Sequence, residues 1–418
     1  MGSKKFGVQA WFVWCLASCF VFYKYIIELS PGVLKADIGH FFSLNDAQAG
    51  LFISLYYFAY AFMQLPIGLL LDRFGPKKVL LLSLFICLVG TLLMSWLPPS
   101  AFGLACVARF LTGVGAASAI IGCMKLIANW FGTQRFARMT GLMMTIGMVG
   151  AGLSVDIITA VHENYSVPWD QLLRWVGYIG SVLLLLYFLL IKDAPDSHDL
   201  ASKPQLVSFK RAVVEVLKEK QSWLLSLYSG LMFGPFAAFL SWGIKFIQLS
   251  SVTSHAHATT AVSCLLFGFA FGSPLWGWWS DVLMKRKPFL WLSSIVCLLL
   301  SMLVTYVSIT SFLFIATLFL LMGFFLSAFV ISFSMIREIH PLPCSATSVG
   351  FMNTFNSFCN ASLVWMIGLV LKGLSYKGNG VISLSHYRIG MSLSVVFIVL
   401  ALSLLPFISE TYAATKAD

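Results

Sequence analysis

Gly68-Leu-Leu-Leu-Asp72-Arg73-Phe-Gly75-Pro-Lys77-Lys78 is the stretch whose reading decides the fold. Apolar runs of membrane length precede and follow it, so an acid, an arginine and two lysines share one very short turn. An ordinary charged loop that stops a helix requires no such spacing of glycines around an aspartate. Much later in the chain, Gly277, Asp281, Lys285, Arg286 and Lys287 keep the glycine-to-aspartate step and the basic cluster. This copy lacks the arginine after the aspartate and the second glycine. Related copies at matching places in two halves mark an internal repeat.

Composition says where such a chain can live. Of 418 residues, 59% are hydrophobic and 10% charged, with a mean hydropathy of +0.89. A soluble domain carries roughly a quarter charged residues, so this chain lacks a water-facing surface and reads as a polytopic membrane protein. A spanning helix needs roughly 20 apolar residues. Twelve stretches qualify, at about 7–34, 46–71, 77–97, 101–129, 136–161, 171–191, 222–249, 257–283, 288–308, 310–338, 344–372 and 388–409. Helices are required because backbone groups in lipid must be satisfied internally. The first stretch is too long for a signal-peptide core and has no small-residue cleavage site, so it reads as a retained helix. The nine cysteines lie in or beside apolar runs without metal-ligand spacing, and read as small buried thiols.

The longest polar stretch, Lys192 to Gln221, separates six segments from six. The expected organisation is therefore a bundle over 1–191, a linker over 192–221 and a second bundle over 222–418. Phe209, Val213, Val216 and Leu217 against Lys210, Arg211, Lys218 and Lys220 suggest a short helix on the membrane surface within that linker. With the N-terminus inside, the outer side holds only Lys35, Arg174, Lys372, Lys377 and Arg388 of the 27 basic residues. That bias places both termini in the cytoplasm and explains the net charge of +11 without nucleic acid.

Gly68, Asp72, Arg73, Gly75, Lys77 and Lys78 together resemble the signature of the major facilitator superfamily. Arg109-Phe-Leu-Thr-Gly113-Val-Gly115 resembles its helix-4 signature. The resemblance covers nearly the whole chain. It implies an all-α membrane protein of twelve transmembrane helices in two six-helix pseudo-symmetric bundles, with helices 1, 4, 7 and 10 lining a central cavity. It further implies alternating-access transport by a monomer in a bacterial inner membrane, without cofactor or metal. The runs Phe22–Pro31 and Tyr60–Gly68 resemble the branch of phagosomal nutrient transporters and organic-anion importers. That branch implies proton-coupled uptake of an amino acid, nucleoside or small organic anion.

Charges inside the segments are few: Lys24, Arg109, Lys125 and Lys245 against Glu28 and Asp156. Intramembrane charges usually face a wet interior, and the basic excess favours a substrate with a negative group. Lys24 and Glu28 lie four apart on one helix face, beside Tyr25. They read either as a self-neutralising pair or as a substrate anchor and a proton site. For Arg109 the resemblance implies substrate or proton coupling, while Gly113 and Gly115 allow close helix packing. On a straight helix Lys125 points away from Arg109, and snorkelling to the cytoplasmic interface is its expected role. Lys245 and Asp156 lie near outer helix ends, where a gate and snorkelling fit alike. Asn353, Asn356 and Asn360 form one stripe, and Tyr56, Tyr57, Tyr60 and Gln64 another, each fitting substrate contact or interhelical bonding. Trp276, Trp278 and Trp279 read as an interfacial belt.

The expected substrate set is thus Lys24, Tyr25, Tyr57, Arg109, Asn353 and Asn356, with Glu28 and Asp156 for protons. Gly68, Asp72, Arg73, Gly75, Lys77, Lys78 and Asp281 form the expected gate. In it Asp72 takes the partly positive N-terminus of segment 11 and Asp281 that of segment 5. A drug exporter is the first rival, although segment 5 has Gly141, Gly147, Gly150 and Gly152 without a proline. A transporter-like sensor is the second, with only Lys192–Gln221 as soluble material. An enzyme has no support: no paired His-Asp, Cys-His or metal cluster shares a depth, and His255 and His257 sit in an outer loop.

Overall fold

A computed structural model describes residues 7–44, 46–132, 135–194, 209–251, 255–308, 311–377 and 383–412. These are helical, with no strand among the described residues. The helices are α1 (Val8–Val33), α2 (Lys35–Phe41), α3 (Asp46–Phe74), α4 (Pro76–Ser95), α5 (Phe102–Ala116), α6 (Ser118–Phe131), α7 (Phe136–Tyr165) and α8 (Trp169–Leu190). They continue as α9 (Phe209–Lys218), α10 (Lys220–Ser251), α11 (His255–Leu283), α12 (Lys287–Tyr306), α13 (Phe312–Leu326), α14 (Ile331–Glu338), α15 (Ser345–Lys377) and α16 (Leu384–Leu404). Twelve spans are long and apolar enough to cross a membrane, α5 with α6 forming one and α13 with α14 another. The expected count and helical class hold.

The chain divides by contacts into two units that are discontinuous in sequence. The first holds Met1–Gly132, Ile146–Val214 and Leu342–Gly350; the second holds Thr133–Thr145, Glu215–Pro341 and Phe351–Asp418. In the first, α4 packs on α5 and α8, α3 on α5, and α1 on α6 and α8. Leu34, Ile38, Phe42, Phe52, Trp169 and Leu172 close its core at the end away from the signature turn, using the short helix α2, which the apolar count did not separate. In the second, α11 packs on α13 and α10 on α16. The linker residues 195–208 lie outside the described residues, and α9 follows them with Ala212 and Val216 buried.

Close helix approach is set by glycine. A methyl on Gly113 would meet the Tyr56 carbonyl oxygen at 2.4 Å, and one on Gly115 the Ser83 oxygen at 2.3 Å. Beyond these glycines α5 passes at Ala117, whose backbone stays in the right-handed helical region, directly into α6, and the two make up the segment expected over 101–129. Span 10 changes at the matching place, through a 3-10 turn at Ser327–Val330. Trp276 is a correction to the expected belt. It is 2% exposed and its Nε1 donates to the Phe324 carbonyl at 2.8 Å, so it packs helices together, while Trp278 and Trp279 stay exposed. Five cysteines are buried, but Cys15 and Cys19 lie on an exposed face of α1.

Candidate functional site

A proline inside a helix removes one amide, leaving the carbonyl four residues earlier without its partner. Pro31 lies inside α1, and the carbonyl it strands belongs to Ile27. Arg109 on α5 supplies the replacement, its Nη1 donating to Ile27 O at 2.9 Å and its Nη2 to Glu28 O at 2.9 Å. The guanidinium is fully buried, lies 4.6 Å from the centre of the Tyr56 ring, and leaves Nε without a partner. The second unit repeats the device: Pro274 inside α11 strands Ala270 O, which accepts from Thr145 Oγ1 at 2.5 Å. Re-satisfying such groups from neighbouring side chains is what lipid demands.

Arg109 thereby grips α1 at the residue that carries the buried carboxylate. Glu28 pairs with Lys24 one turn earlier, and their side chains are 13% and 6% exposed. The Lys24 ammonium lies 3.9 Å from the Tyr25 ring centre and 5.0 Å from that of Tyr60. Tyr57, beside Tyr56 on α3, remains 44% exposed. Tyr56 stacks near Tyr60 and crosses Tyr57 edge-on. The result is one ammonium-carboxylate pair in an aromatic sleeve, built by α1, α3 and α5 within the first unit. Gly147 and Gly150 of α7 let Tyr25 and Phe22 approach its backbone.

Of the expected substrate set, Lys24, Tyr25, Tyr57 and Arg109 come together here with Glu28. Asn353 and Asn356 belong to the second unit, both buried, with Asn356 Oδ1 lacking a partner. Asp156 falls within α7, but its side chain lies outside the described residues. Lys245 is exposed.

The signature turn forms a second cluster in the first unit. Asp72 Oδ2 accepts from Thr347 N at 2.7 Å and Thr347 Oγ1 at 2.7 Å, and Oδ1 from Ala346 N at 3.1 Å. These amides are the unpaired donors that open α15. Gly68 sits where a methyl would meet Ala346 O at 2.6 Å, and Gly350 where one would meet Gln64 O at 2.5 Å. The two glycines therefore let α3 and α15 touch backbone to backbone. Gly75 has a positive φ of 81° and lies against the Asp193 carboxylate. Arg73 lies 5.4 Å from the Phe74 ring centre. Lys77 contributes its backbone amide, which donates to Asp193 Oδ1 at 2.6 Å, and Lys78 stays exposed.

The second unit matches this at a constant sequence offset. Gly277 faces Ala137 O, Gly141 faces Ser273 O, and Asp281 Oδ2 accepts from Arg138 N at 3.0 Å, near the start of α7. Arg286 stands where Lys77 stands, and its amide donates to Glu410 Oε1 at 2.8 Å. Asp193 and Glu410 are thus paired acidic caps on α4 and α12. Sequence reasoning missed both because each follows the last helix of its half, remote from the turn it caps. The signal was an acid at each such place. Arg286 is fully buried between Asp281 at 2.7 Å and Glu338 at 2.7 Å. Burial alone would lower its guanidinium, but the two carboxylates raise it above its ordinary value.

Lys125 departs from its expected role. It does not snorkel: its side chain is 12% exposed and its ammonium lies 2.6 Å from Asp72 Oδ1. The acid on α3 decides this, a partner that helical phase over sixteen residues does not take into account.

The Major Facilitator Superfamily model matches residues 13–363. A probable galactarate/D-glucarate transporter of Bacillus subtilis, GudP, is 22% identical over 95% of this chain and 93% of its own length. GarP of Escherichia coli K12, also a probable galactarate/D-glucarate transporter, is 26% identical over 67% of this chain and 68% of its own. The uncharacterized transporter YybO of Bacillus subtilis is 28% identical, over 49% of this chain and 46% of that protein. Among solved structures, FucP in its outward conformation aligns with a TM-score of 0.74 at 15% identity, covering 96% of this chain and 99% of that one. The proton:xylose symporter XylE aligns with a TM-score of 0.71 at 13% identity, covering 98% of each chain. Two glycine-crossed helix contacts with aspartates on helix-opening amides, twelve spans and a model match over most of the length lead to one assignment: the chain is a multi-pass membrane transporter belonging to the Major Facilitator Superfamily.

Proposed function

We propose that the protein imports a small anionic or zwitterionic metabolite across the bacterial inner membrane by proton-coupled alternating access, with both termini in the cytoplasm. An amino acid, a nucleoside and an organic anion are the classes in view. The observation that carries this reading is the buried Lys24–Glu28 pair in its tyrosine sleeve. A buried ammonium engaged by its own carboxylate has little left for a substrate anion. Protonating Glu28 neutralises the carboxylate and frees Lys24 to take the substrate's negative group, so proton and substrate enter together. Losing substrate returns Lys24 to Glu28 and expels the proton. Arg109 serves by holding the α1 backbone at Ile27 and Glu28. Relatives named as probable transporters of galactarate and glucarate support organic acids over sugars. Asp72 and Asp281 act in gating, releasing the helix starts as the halves rock.

Thermal shift of purified protein against amino acids, nucleosides and organic acids should find a stabilising anion, with binding weakened in Lys24→Ala. Proteoliposomes under an inward proton gradient should accumulate it, and Glu28→Gln should abolish the gradient's effect. Uptake indifferent to pH would remove the coupling. Stabilisation only by bulky lipophilic cations would make the protein an exporter.

A further inference from the structure

The ammonium of lysine has three donors and no acceptor. At Lys125 all three have partners: Asp72 Oδ1 at 2.6 Å, Ser345 Oγ at 2.9 Å and Leu342 O at 3.2 Å. The first lies on α3, and the other two belong to the residues that lead into and open α15. Asp72 in turn gives three acceptor contacts to Ala346 and Thr347. The helix start is therefore held from two sides, by a carboxylate on α3 and by a cation on α6, each holding the other in place.

The repeat shows that this arrangement is not simply inherited by both halves. At the offset that matches Asp72 to Asp281, the position of Lys125 is Ser334, whose buried hydroxyl has no partner. Asp281 draws its cation from its own loop, Arg286, which turns to Glu338 and Ser280. The structure shows Asp281 accepting one α7 amide, from Arg138.

We infer that Lys125 is a gating residue of this transporter, the second arm of the clasp on α15; in the second half Arg337 of α14 meets the matching helix start differently, its guanidinium 4.2 Å from the ring of Phe136 that opens α7. The inference rests on the alternating-access reading. When α15 leaves, Lys125 exchanges Ser345 and Leu342 for water while keeping Asp72. The ion pair stays with the first half, and the two bonds to α15 are what opening must break.

Cys344 is a native reporter. It is 4% exposed and immediately precedes Ser345. In membranes with the cytoplasmic face accessible, N-ethylmaleimide labelling of Cys344 is followed by peptide mass spectrometry, with fully buried Cys87 as the control for general loosening. Losing two charge-assisted bonds should speed Cys344 labelling in Lys125→Met about tenfold or more, with Cys87 unchanged. Lys125→Arg should restore most of the protection. The double variant D72N/K125M should label no faster than three times Asp72→Asn alone, roughly, because both act on one seat. Substrate binding by thermal shift should persist in Lys125→Met while its maximal uptake rate changes. Unchanged Cys344 labelling, or Cys87 rising in step, would overturn the inference. Labelling needs no substrate, so failure to find a transported solute would count against the proposed function alone.

Discussion

Replacing Arg109 with methionine should destabilise the protein by an amount that depends on residue 31. In the native chain Ile27 O has no amide from Pro31 and takes Arg109 Nη1 at 2.9 Å. Removing the donor leaves a buried acceptor unsatisfied, at about 1–3 kcal/mol. In Pro31→Ala the new amide can close the helical bond to Ile27, and that part of the penalty disappears. Other consequences of Arg109→Met enter both backgrounds to first order: loss of a buried cation, of the Tyr56 contact and of the Glu28 carbonyl bond. They cancel in the double-mutant cycle. The coupling left over should be about 1–2 kcal/mol. Unfolding of purified protein in mixed detergent micelles, followed by tryptophan fluorescence, measures the four corners of the cycle. Equal losses for Arg109→Met beside proline and beside alanine would refute the reasoning, because the Ile27 carbonyl would then not be what Arg109 serves.

Gly68→Ala places a methyl 2.6 Å from Ala346 O, where backbone has no cheap retreat. It should cost about 1–3 kcal/mol and speed Cys344 alkylation, since α15 must move off α3. Glu410→Gln removes the charge that caps α12 through Arg286 N and Lys287 N. It should lower stability by about 1 kcal/mol, and Asp193→Asn should do the same at α4, both read by micelle unfolding. Arg286→Met leaves Asp281 and Glu338 buried and unpaired and should cost about 3–5 kcal/mol. Because its raised guanidinium pKa keeps Arg286 charged, its stabilisation is fully present below the unfolded value and lost only above it. Unfolding curves between pH 7 and pH 9 should therefore show no loss from this group; a fall traced to Arg286 by the variant's insensitivity would contradict the assignment.

Much of this molecule is local chemistry and can be read from the chain. Twelve apolar runs dictate twelve helices because backbone in lipid has no other partner. The spacing of Gly68, Asp72 and Gly75 encodes a close crossing, a carboxylate one turn on and a left-handed turn residue, and each demand falls on a residue type visible in the sequence. Lys24 and Glu28 share a face by helical arithmetic alone. What sequence could not settle was the partner of each buried charge. Lys125 meets Asp72 and the opening of α15, which are distant along the chain, and no periodicity within its own segment reports that meeting. Arg109 carries an expected substrate or proton role by resemblance, yet two of its nitrogens donate to the α1 carbonyls of Ile27 and Glu28, the first of them stranded by Pro31 on that other helix. Helix identity follows from the solvent and from neighbours within a few residues. The partner of a buried cation follows from which helices pack together, and only the tertiary structure decides that.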